Sequence, residues 1–397
     1  MSAASVTFFP VDCGDMTLVQ LADTAGTTLM IDINIRSSAD DPEDDIRDVG
    51  KDLRDRLKRD ANNRPYVDAF LMSHPDCDHI RGLMSHFHLG PLSDYADDKK
   101  PDKEKKIVIR EIWSSPLVYR RASKTHSLGP DAKAFNTEAK RRVKVNVDKN
   151  FSGVGEGDRI LVMGEDQNGK TDKLGPILVK TGSTFSRING SESSFFSAVL
   201  LAPILATEGE AEDELLGKNQ SSVILNLKIA ADQWQPDGCK FLTAGDAEVA
   251  IWERLWARHK NQKSNLEYDL LQAPHHCSWR SLSWDSWSGL GKNAKVSTDA
   301  RSALSVTRSG ACVVASSKPV KDDDCDPPCV RAKTEYREIV DEAGGTFYCT
   351  GEYPNEKSPE PLTFTVSAQG LQSPGKKLAA ALSAGMGTST STPKPHG

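Results

Sequence analysis

The sequence predicts a layered α/β domain, and three observations support that prediction. Short apolar runs typical of strands alternate loosely with stretches of helical period along most of the 397 residues. Hydrophobic residues make up 38% of the chain and charged residues 27%, which is the balance of an ordinary folded domain. Several apolar runs end directly in polar side chains that could bind a metal. Because loops converge at the edge of a sheet, we expect a functional site along one such edge.

The N-terminal region predicts antiparallel strands followed by a helix. Residues 6–9, 16–21 and 28–33 are apolar or β-branched runs, and the turn 12–15 separates the first two. Residues 46–57 carry apolar side chains at helical spacing, with acidic residues crowded at the N-terminal side. We therefore expect these strands to open a sheet that a helix covers.

The remaining elements follow the same patterns. Helices are predicted at residues 133–144, 247–259 and 332–342. Further strands are predicted at 67–72, 107–113, 160–163, 177–179, 198–205, 223–227, 241–243, 269–272, 312–315, 346–349 and 362–366.

Two local clusters have two readings each. Lys140, Arg141, Arg142 and Lys144 form a basic end of one predicted helix, for which a solvated face is favoured over contact with a nucleic-acid backbone. Trp279, Trp284 and Trp287 follow one candidate ligand motif, where core packing is favoured over a platform for stacking bases.

The predicted organisation is one domain at 1–366 and a tail at 367–397. The tail is rich in Ser, Gly, Thr, Ala and Pro, so we expect it to be disordered.

Composition also predicts the cellular setting. No apolar run approaches the roughly 20 residues that cross a bilayer, and no basic N-terminal patch indicates a signal peptide. The eight cysteines are scattered, which favours reduced thiols and a cytoplasmic location. The net charge of −6 provides no global basic field for a nucleic-acid partner.

The most informative segment runs from His74 to His79 with the sequence HPDCDH. It places His74, Asp76, Asp78 and His79 directly after a predicted buried strand. Crowded carboxylates and imidazoles indicate a cation that offsets repulsion and desolvation, although a polar turn is the alternative. These ligands suit Zn²⁺, Mn²⁺ or Fe, and the lack of a second nearby cysteine argues against a closed structural zinc site.

Two further motifs place ligands after strands. Asp246 follows Gly245, and His275 and His276 follow Pro274. Together with the first motif they supply enough imidazoles and carboxylates for one or two catalytic metals with an open water position.

Five ordered motifs resemble the metallo-β-lactamase fold superfamily, and in particular the soluble hydrolase domain of the DNA-uptake channel protein ComEC. They are VDCGD at 11–15 with IDIN at 31–34, SHPDCDH at 73–79, NQSSVIL at 219–225, LTAGDAE at 242–248 and APHHCS at 273–278. The likeness extends from about residue 6 to 366, and it implies a variable insertion at about 120–218.

The resemblance implies a four-layer αββα sandwich with metal at the edge of two packed sheets. It assigns His74 and Asp76 to a first metal and Asp78 and His79 to a second, with Asp246 bridging both. The cofactors would be one or two divalent ions, Zn²⁺ or Mn²⁺.

The last motif and one missing ligand leave alternatives open. His276 is favoured as a ligand, and His275 is a candidate proton donor or phosphate contact. No convincing histidine supplies the middle ligand of the first metal site, and His126 lies in a segment expected to vary. A single metal is therefore a real alternative to two.

The site predicts hydrolysis by a hydroxide that the metal generates from water, with Asp78 orienting it. Ser278, Arg280 and Lys318 are candidates to hold phosphate oxygens, and each is also an ordinary surface residue type. Asn219 is added as a substrate contact from its motif.

The predicted function is a metal-dependent phosphodiesterase or nuclease that acts on DNA, with single strands favoured, or on nucleotides. One alternative is hydrolysis of another ester, such as a phosphorylcholine-type ester, a lactone or a thioester. The other alternative is a non-catalytic scaffold with the same fold.

Overall fold

A computed structural model describes residues 3–37, 46–119, 128–205 and 221–374. It has a mixed α/β architecture with two large sheets, one small hairpin and helices. In chain order the described strands are β1 (Ala4–Phe8), β2 (Thr17–Gln20), β3 (Thr28–Ile31), β4 (Ile33–Asn34), β5 (Lys58–Arg59), β6 (Pro65–Met72), β7 (Phe87–His88), β8 (Ile107–Ser114), β9 (Arg159–Met163), β10 (Leu178–Val179), β11 (Thr184–Phe185), β12 (Arg187–Ile188), β13 (Ser191–Glu192), β14 (Phe196–Ala202), β15 (Ile224–Ile229), β16 (Cys239–Leu242), β17 (Tyr268–Gln272), β18 (Thr307–Ala315), β19 (Thr346–Cys349), β20 (Leu362–Ser367) and β21 (Gly370–Gln372).

The described α-helices are α1 (Val49–Arg54), α2 (Cys77–Ile80), α3 (Leu83–His86), α4 (Pro116–Tyr119), α5 (Pro130–Asp148), α6 (Val249–His259), α7 (Trp287–Leu290), α8 (Thr298–Leu304) and α9 (Val330–Glu342). The longest is α5, which has a proline in its first turn, where the missing N–H costs no hydrogen bond.

The first sheet has the order β10-β9-β8-β6-β3-β2-β1-β20-β21, with β5 and β7 attached to β6 and β8. Its central pairs β3/β6, β6/β8 and β8/β9 are parallel, whereas β1 pairs antiparallel with β2 and β20. The second sheet has the order β11-β14-β15-β16-β17-β18-β19 and is parallel from β16 to β19. Parallel strands present their carboxyl ends at the same edge, which is where ligand-bearing loops can meet.

Three buried clusters account for the core. One contains side chains from both sheets, among them Trp113 of β8 and Phe241 of β16. The second packs β17 and β18 with α6, α8 and α9, and the third packs β6 and β8 with α1 and α5. Strand β6 contributes to two clusters because successive side chains of a strand point to opposite faces of the sheet. Leu71 packs in the cluster shared by the two sheets, and Phe70 packs against the helices.

The sequence predicted most of these elements, but the solvated face predicted for the basic cluster of α5 is found only at the exposed Lys140 and Lys144. Arg142 is 1% exposed, and its guanidinium is paired with Glu138 instead of lying on a solvated face. Arg141 also binds Glu138, and it reaches Asp158 at 2.6 Å. A buried arginine requires a paired carboxylate, and local periodicity does not reveal where that carboxylate lies.

Two predicted boundaries change. The predicted tail contains β21, which pairs with β20 from Thr365 to Ser367, whereas residues 375–397 lie outside the described part. The segment expected to hold an insertion supplies β9 and β10 to the first sheet and β14 to the second. It also supplies α5, which packs against the first sheet. The acidic stretch at 207–218 lies outside the described residues.

Among the helices of the described ranges, none combines the length and apolar character that a bilayer crossing requires.

Candidate metal centre

The candidate ligands lie just beyond the carboxyl ends of strands from both sheets. Asp32 follows β3 and His74 follows β6, which are parallel neighbours in the first sheet. Asp246 follows β16, and His275 and His276 follow β17, which are parallel neighbours in the second sheet. The strand pairing therefore brings the three predicted ligand motifs to one edge of the molecule.

Two short segments fix the histidines locally. His79 lies on α2, which begins directly after Asp76. The turn Pro274–His276 has left-handed backbone at His275 and His276, with φ values of 50° and 53°. Left-handed backbone at consecutive non-glycine residues is strained, and such strain is held by the surrounding structure at functional sites.

Three ring and carboxylate atoms converge on one side of Asp246. His79 Nε2 lies 3.1 Å from Asp246 Oδ1 and 3.2 Å from His276 Nε2. His276 Nε2 lies 3.4 Å from Asp246 Oδ1 and 3.4 Å from Asp78 Oδ2. The carboxylate of Asp78 is 34% exposed, whereas the other three side chains are buried. Within this group, therefore, only the Asp78 side chain is accessible to solvent.

A second pair faces the other oxygen of Asp246. His74 Nε2 lies 3.3 Å from Asp246 Oδ2, and His275 Nε2 lies 3.6 Å from the same atom. The two oxygens of one buried carboxylate thus face two sets of imidazoles.

The Nδ1 atoms of these rings point to a second layer of acceptors. His79 Nδ1 lies 2.8 Å from Asp32 Oδ2 and 3.6 Å from Asp15 Oδ2. His276 Nδ1 lies 3.6 Å from Asp15 Oδ1, and Ser73 Oγ bridges Asp32 to His74 Nδ1. Carboxylates behind ring nitrogens orient imidazoles so that Nε2 faces a metal.

Burial and charge oppose each other in this cluster. Burial alone would lower the pKa of His79, but Asp246 and Asp32 raise it well above the ordinary histidine value. Burial likewise opposes the charge of His276, whose pKa Asp246 and Asp15 raise. Burial would raise the pKa of Asp246, yet the surrounding imidazoles hold it well below the usual carboxyl range. Positive charge therefore stabilises these buried carboxylates, and either protons on the imidazoles or a bound cation can supply it.

The spacing of the converging atoms fits a metal ion. Ligand atoms around a tetrahedral zinc lie roughly 3.3 Å apart, because bonds of about 2.0–2.1 Å subtend the tetrahedral angle. The observed separations of 3.1, 3.2 and 3.4 Å among His79, His276 and Asp246 match that edge length. The separation of 3.4 Å between His276 Nε2 and Asp78 Oδ2 matches it as well. Moreover, the buried atoms Asp246 Oδ1 and His74 Nε2 have no hydrogen-bond partner within the described part. Buried polar atoms without partners are rare, and a cation would satisfy them.

The described residues contain two buried groups that could hold a metal ion. The first is Asp15, His79, Asp246 and His276, and the second is Asp32, His74 and His79. Asp15 and Asp32 contact Nδ1 atoms, so we interpret them as supports for the rings and not as ligands. Neither residue was assigned a role from sequence, although both belong to motifs that carried the family resemblance.

Two of the predicted site residues differ from their predicted roles. Asp76, predicted as a ligand, stands at the position before α2 and, like Asp78, belongs to neither metal group. His275 was predicted as a proton donor or phosphate contact, but its Nε2 faces Asp246 beside His74.

The described members of the predicted substrate contacts have different surroundings. Ser278 is fully buried, and its hydroxyl accepts a hydrogen bond from the backbone of Arg280 at 3.1 Å, so it supports the turn. Arg280 itself is exposed and lines a pocket. Lys318 Nζ donates to Cys325 Sγ at 3.5 Å. Asn219 and His126 lie outside the described residues.

No family model matches this chain, and no curated protein matches it in sequence. The assignment of chemistry therefore depends on the geometry of the centre.

Proposed function

We propose that this protein is a metal-dependent hydrolase that cleaves a phosphoester bond at the centre around Asp246. The observation that carries the proposal is the convergence of His79 Nε2, His276 Nε2 and Asp246 Oδ1 at 3.1–3.4 Å from one another. Asp78 Oδ2 lies 3.4 Å from His276 Nε2 at the open side of this group. The three core clusters support a four-layer αββα sandwich of the metallo-β-lactamase type as the architecture that holds this centre.

The donor set separates into two candidate positions. His79, His276 and Asp78 would hold a cation against one oxygen of Asp246. His74 and His275 would hold a cation against the other oxygen, so His275 is our candidate for the ligand that the sequence did not supply. Imidazole and carboxylate donors suit Zn²⁺ or Mn²⁺.

A divalent cation in this centre would supply Lewis-acid polarisation of the ester and a nucleophile at neutral pH. Asp78 is the ligand carboxylate that reaches the opening, so it would orient the attacking water and accept its proton. Asp32 and Asp15 would hold the rings of His79 and His276 in their orientation. The buried strand ends exclude bulk water from the lower side of the centre.

The choice of ester depends on charge. The resemblance favours DNA, with single strands preferred, or nucleotides. The pocket beside the centre contains four carboxylates and one arginine, which opposes a polyanion and favours a smaller ester. Steep loss of binding with added salt would mark a nucleic-acid substrate.

Metal content and cleavage test the proposal together. We expect the purified protein to retain Zn²⁺ or Mn²⁺ by elemental analysis and to hydrolyse bis-p-nitrophenyl phosphate, single-stranded DNA or duplex DNA. Asp246→Asn and His276→Ala should lose both metal and cleavage, whereas His259→Ala on α6 should retain both. Unchanged metal content in Asp246→Asn would contradict the proposed centre. If the protein binds metal but cleaves no phosphodiester, we would instead propose hydrolysis of a lactone or thioester, or a non-catalytic scaffold.

A further inference from the structure

A pocket of about 420 Å³ lies beside the metal centre. Its volume falls within the range of small-ligand sites, about 300–1,000 Å³. The lining comes from three segments, which follow Asp246, follow His276 and precede α9. The residues that carry the argument are Glu248, Arg280, Trp284, Asp285, Asp324 and Asp326.

The lining is strongly acidic. Four carboxylates face one guanidinium, that of Arg280. Asp326 accepts a hydrogen bond from the backbone N–H of Trp279 at 3.0 Å, and Asp285 accepts one from the backbone N–H of Lys295 at 2.8 Å. Among the described residues, Asp285, Asp324 and Asp326 form no ion pair with a basic side chain. Their negative charge is therefore available to a ligand.

An aromatic wall accompanies these carboxylates. Trp284 is 60% exposed, and its indole N–H donates to Glu253 at 2.9 Å, which fixes the plane of the ring. Trp287 also lines the pocket and packs edge-on against the buried Trp279 with ring centroids 5.7 Å apart. An exposed tryptophan held beside unpaired carboxylates is the arrangement that attracts an organic cation, through cation–π and charge interactions together.

One residue of the pocket lining, Glu248, lies next to the metal centre. Glu248 Oε1 lies 3.9 Å from His275 Nδ1, and His275 Nε2 lies 3.6 Å from Asp246. Arg280, the one cation of the lining, is two residues from Ser278 on the turn that follows His276. A ligand could therefore place an anionic ester at the centre and a positively charged group in the pocket.

We propose that this pocket binds the alkylammonium group of the substrate and so determines which esters the centre hydrolyses. The word substrate rests on the proposed hydrolase function, whereas recognition of the cation by the pocket does not. The tryptophan wall distinguishes an organic cation from a metal ion, which would need only oxygen ligands.

Choline and its uncharged isostere 3,3-dimethylbutan-1-ol test the pocket without turnover. Binding to the full chain is measured by tryptophan fluorescence and calorimetry, with and without added Zn²⁺. We expect choline to bind at least about tenfold more tightly than the isostere, since cation–π and charge interactions of about 1.4 kcal/mol correspond to tenfold. Equal binding of the two compounds, or no saturable binding of choline, would overturn the proposal.

Matched variants locate the site. Trp284→Ala and the double variant Asp285→Asn/Asp324→Asn should each weaken choline binding by roughly fivefold or more. Trp234→Ala removes a tryptophan that is 81% exposed elsewhere, and Asp341→Asn removes an exposed charge on α9, so both should bind as the wild type does. Equal effects of pocket and control variants would overturn the assignment. Calcium replacing choline with higher affinity would also do so.

A kinetic comparison connects the pocket to hydrolysis. For p-nitrophenyl phosphorylcholine we expect the pocket variants to raise KM several-fold with kcat little changed, and for the 3,3-dimethylbutyl analogue we expect no change. If the protein binds choline but hydrolyses no ester, the proposed cation site would stand and the proposed hydrolase function would be rejected. Hydrolysis without discrimination between choline and its isostere would reject only the pocket.

Discussion

At the scale of single residues, burial of charge decides which side chains are structural and which are available for chemistry. Glu138 is 3% exposed and accepts hydrogen bonds from Arg141 and Arg142 and from the backbone N–H of Gly90. All its charge is satisfied within the protein, so it stabilises α5 against the first sheet. Asp246 is equally buried, but one of its oxygens has no hydrogen-bond partner among the described residues. That difference makes Asp246, and not Glu138, the candidate metal ligand.

Glu138 should make stability depend on acid pH. Burial alone would raise its pKa, but hydrogen bonds and charge from Arg141 and Arg142 lower the pKa to about 2. A lowered folded-state pKa stabilises the fold above the ordinary pKa of 4.5, and that contribution is lost as the pH falls toward 2. The shift corresponds to about 3 kcal/mol in the free energy of unfolding.

Urea unfolding at successive pH values, for wild type and Glu138→Gln, measures this contribution. The variant should be destabilised by about 3–5 kcal/mol at pH 7, because it leaves the buried Arg142 unpaired. Its stability should also fall less steeply below pH 4.5 than that of the wild type. Glu338→Gln, at a site 54% exposed, is the control. Parallel pH profiles of wild type and Glu138→Gln would contradict the prediction.

At the scale of elements, close backbone contacts position the ligands. The turn before β2 is tied to α2, since the backbone N–H of Asp15 donates to the carbonyl of Asp78 at 3.1 Å. Gly14 makes this contact possible, because a Cβ there would lie 2.7 Å from the same carbonyl oxygen and would clash with Asn34. Gly14 thus allows the turn that carries Asp15 to pack directly against α2. This packing places Asp15 next to the Nδ1 atoms of His79 and His276.

Gly14→Ala should therefore loosen the centre while the rest of the fold forms. We expect metal affinity to fall by about 10–100-fold, which is the usual cost of disturbing groups that orient metal ligands. Calorimetric titration with Zn²⁺ measures the effect. Gly155→Ala is the matched control, since a Cβ at that glycine meets no atom within 4 Å. Equal affinities of the two variants would show that the close approach does not position the centre.

At the scale of the whole molecule, the candidate centre joins the two sheets. Its rings His74 and His79 belong to the segment after β6 in the first sheet, whereas Asp246, His275 and His276 follow strands of the second. His79 and His276 approach to 3.2 Å although 197 residues separate them. A cation held between them would therefore cross-link two halves of the core at one edge.

Metal binding should consequently stabilise the whole fold. At 100 times the dissociation constant, a ligand that binds only the folded state adds about 2.7 kcal/mol to the free energy of unfolding. We expect a chelator to lower the melting temperature of the purified protein and Zn²⁺ to restore it. Asp246→Asn should show no such response in differential scanning calorimetry. A melting temperature that does not change with metal in the wild type would contradict a centre that joins the sheets.

Local patterns predicted much of the fold and the ligand types. The apolar run of β6 and the periods of α6 and α9 are properties of short segments, so the predicted elements agree with the structure to within a few residues. The crowding of His74 to His79 indicated a cation because like charges and imidazoles are costly to bury unpaired. The pairing of Arg142 with Glu138 was missed because it depends on which helix face packs against the sheet.

The sequence by itself determined which side chains could bind a metal and that they follow strands. Only the tertiary structure decided how they are grouped: two imidazole sets on opposite oxygens of Asp246, Asp15 and Asp32 behind the rings, and Asp76 outside the groups. The physical reason is distance along the chain. Contacts between residues on two separate sheets depend on how those sheets pack, and no short-range periodicity encodes that packing.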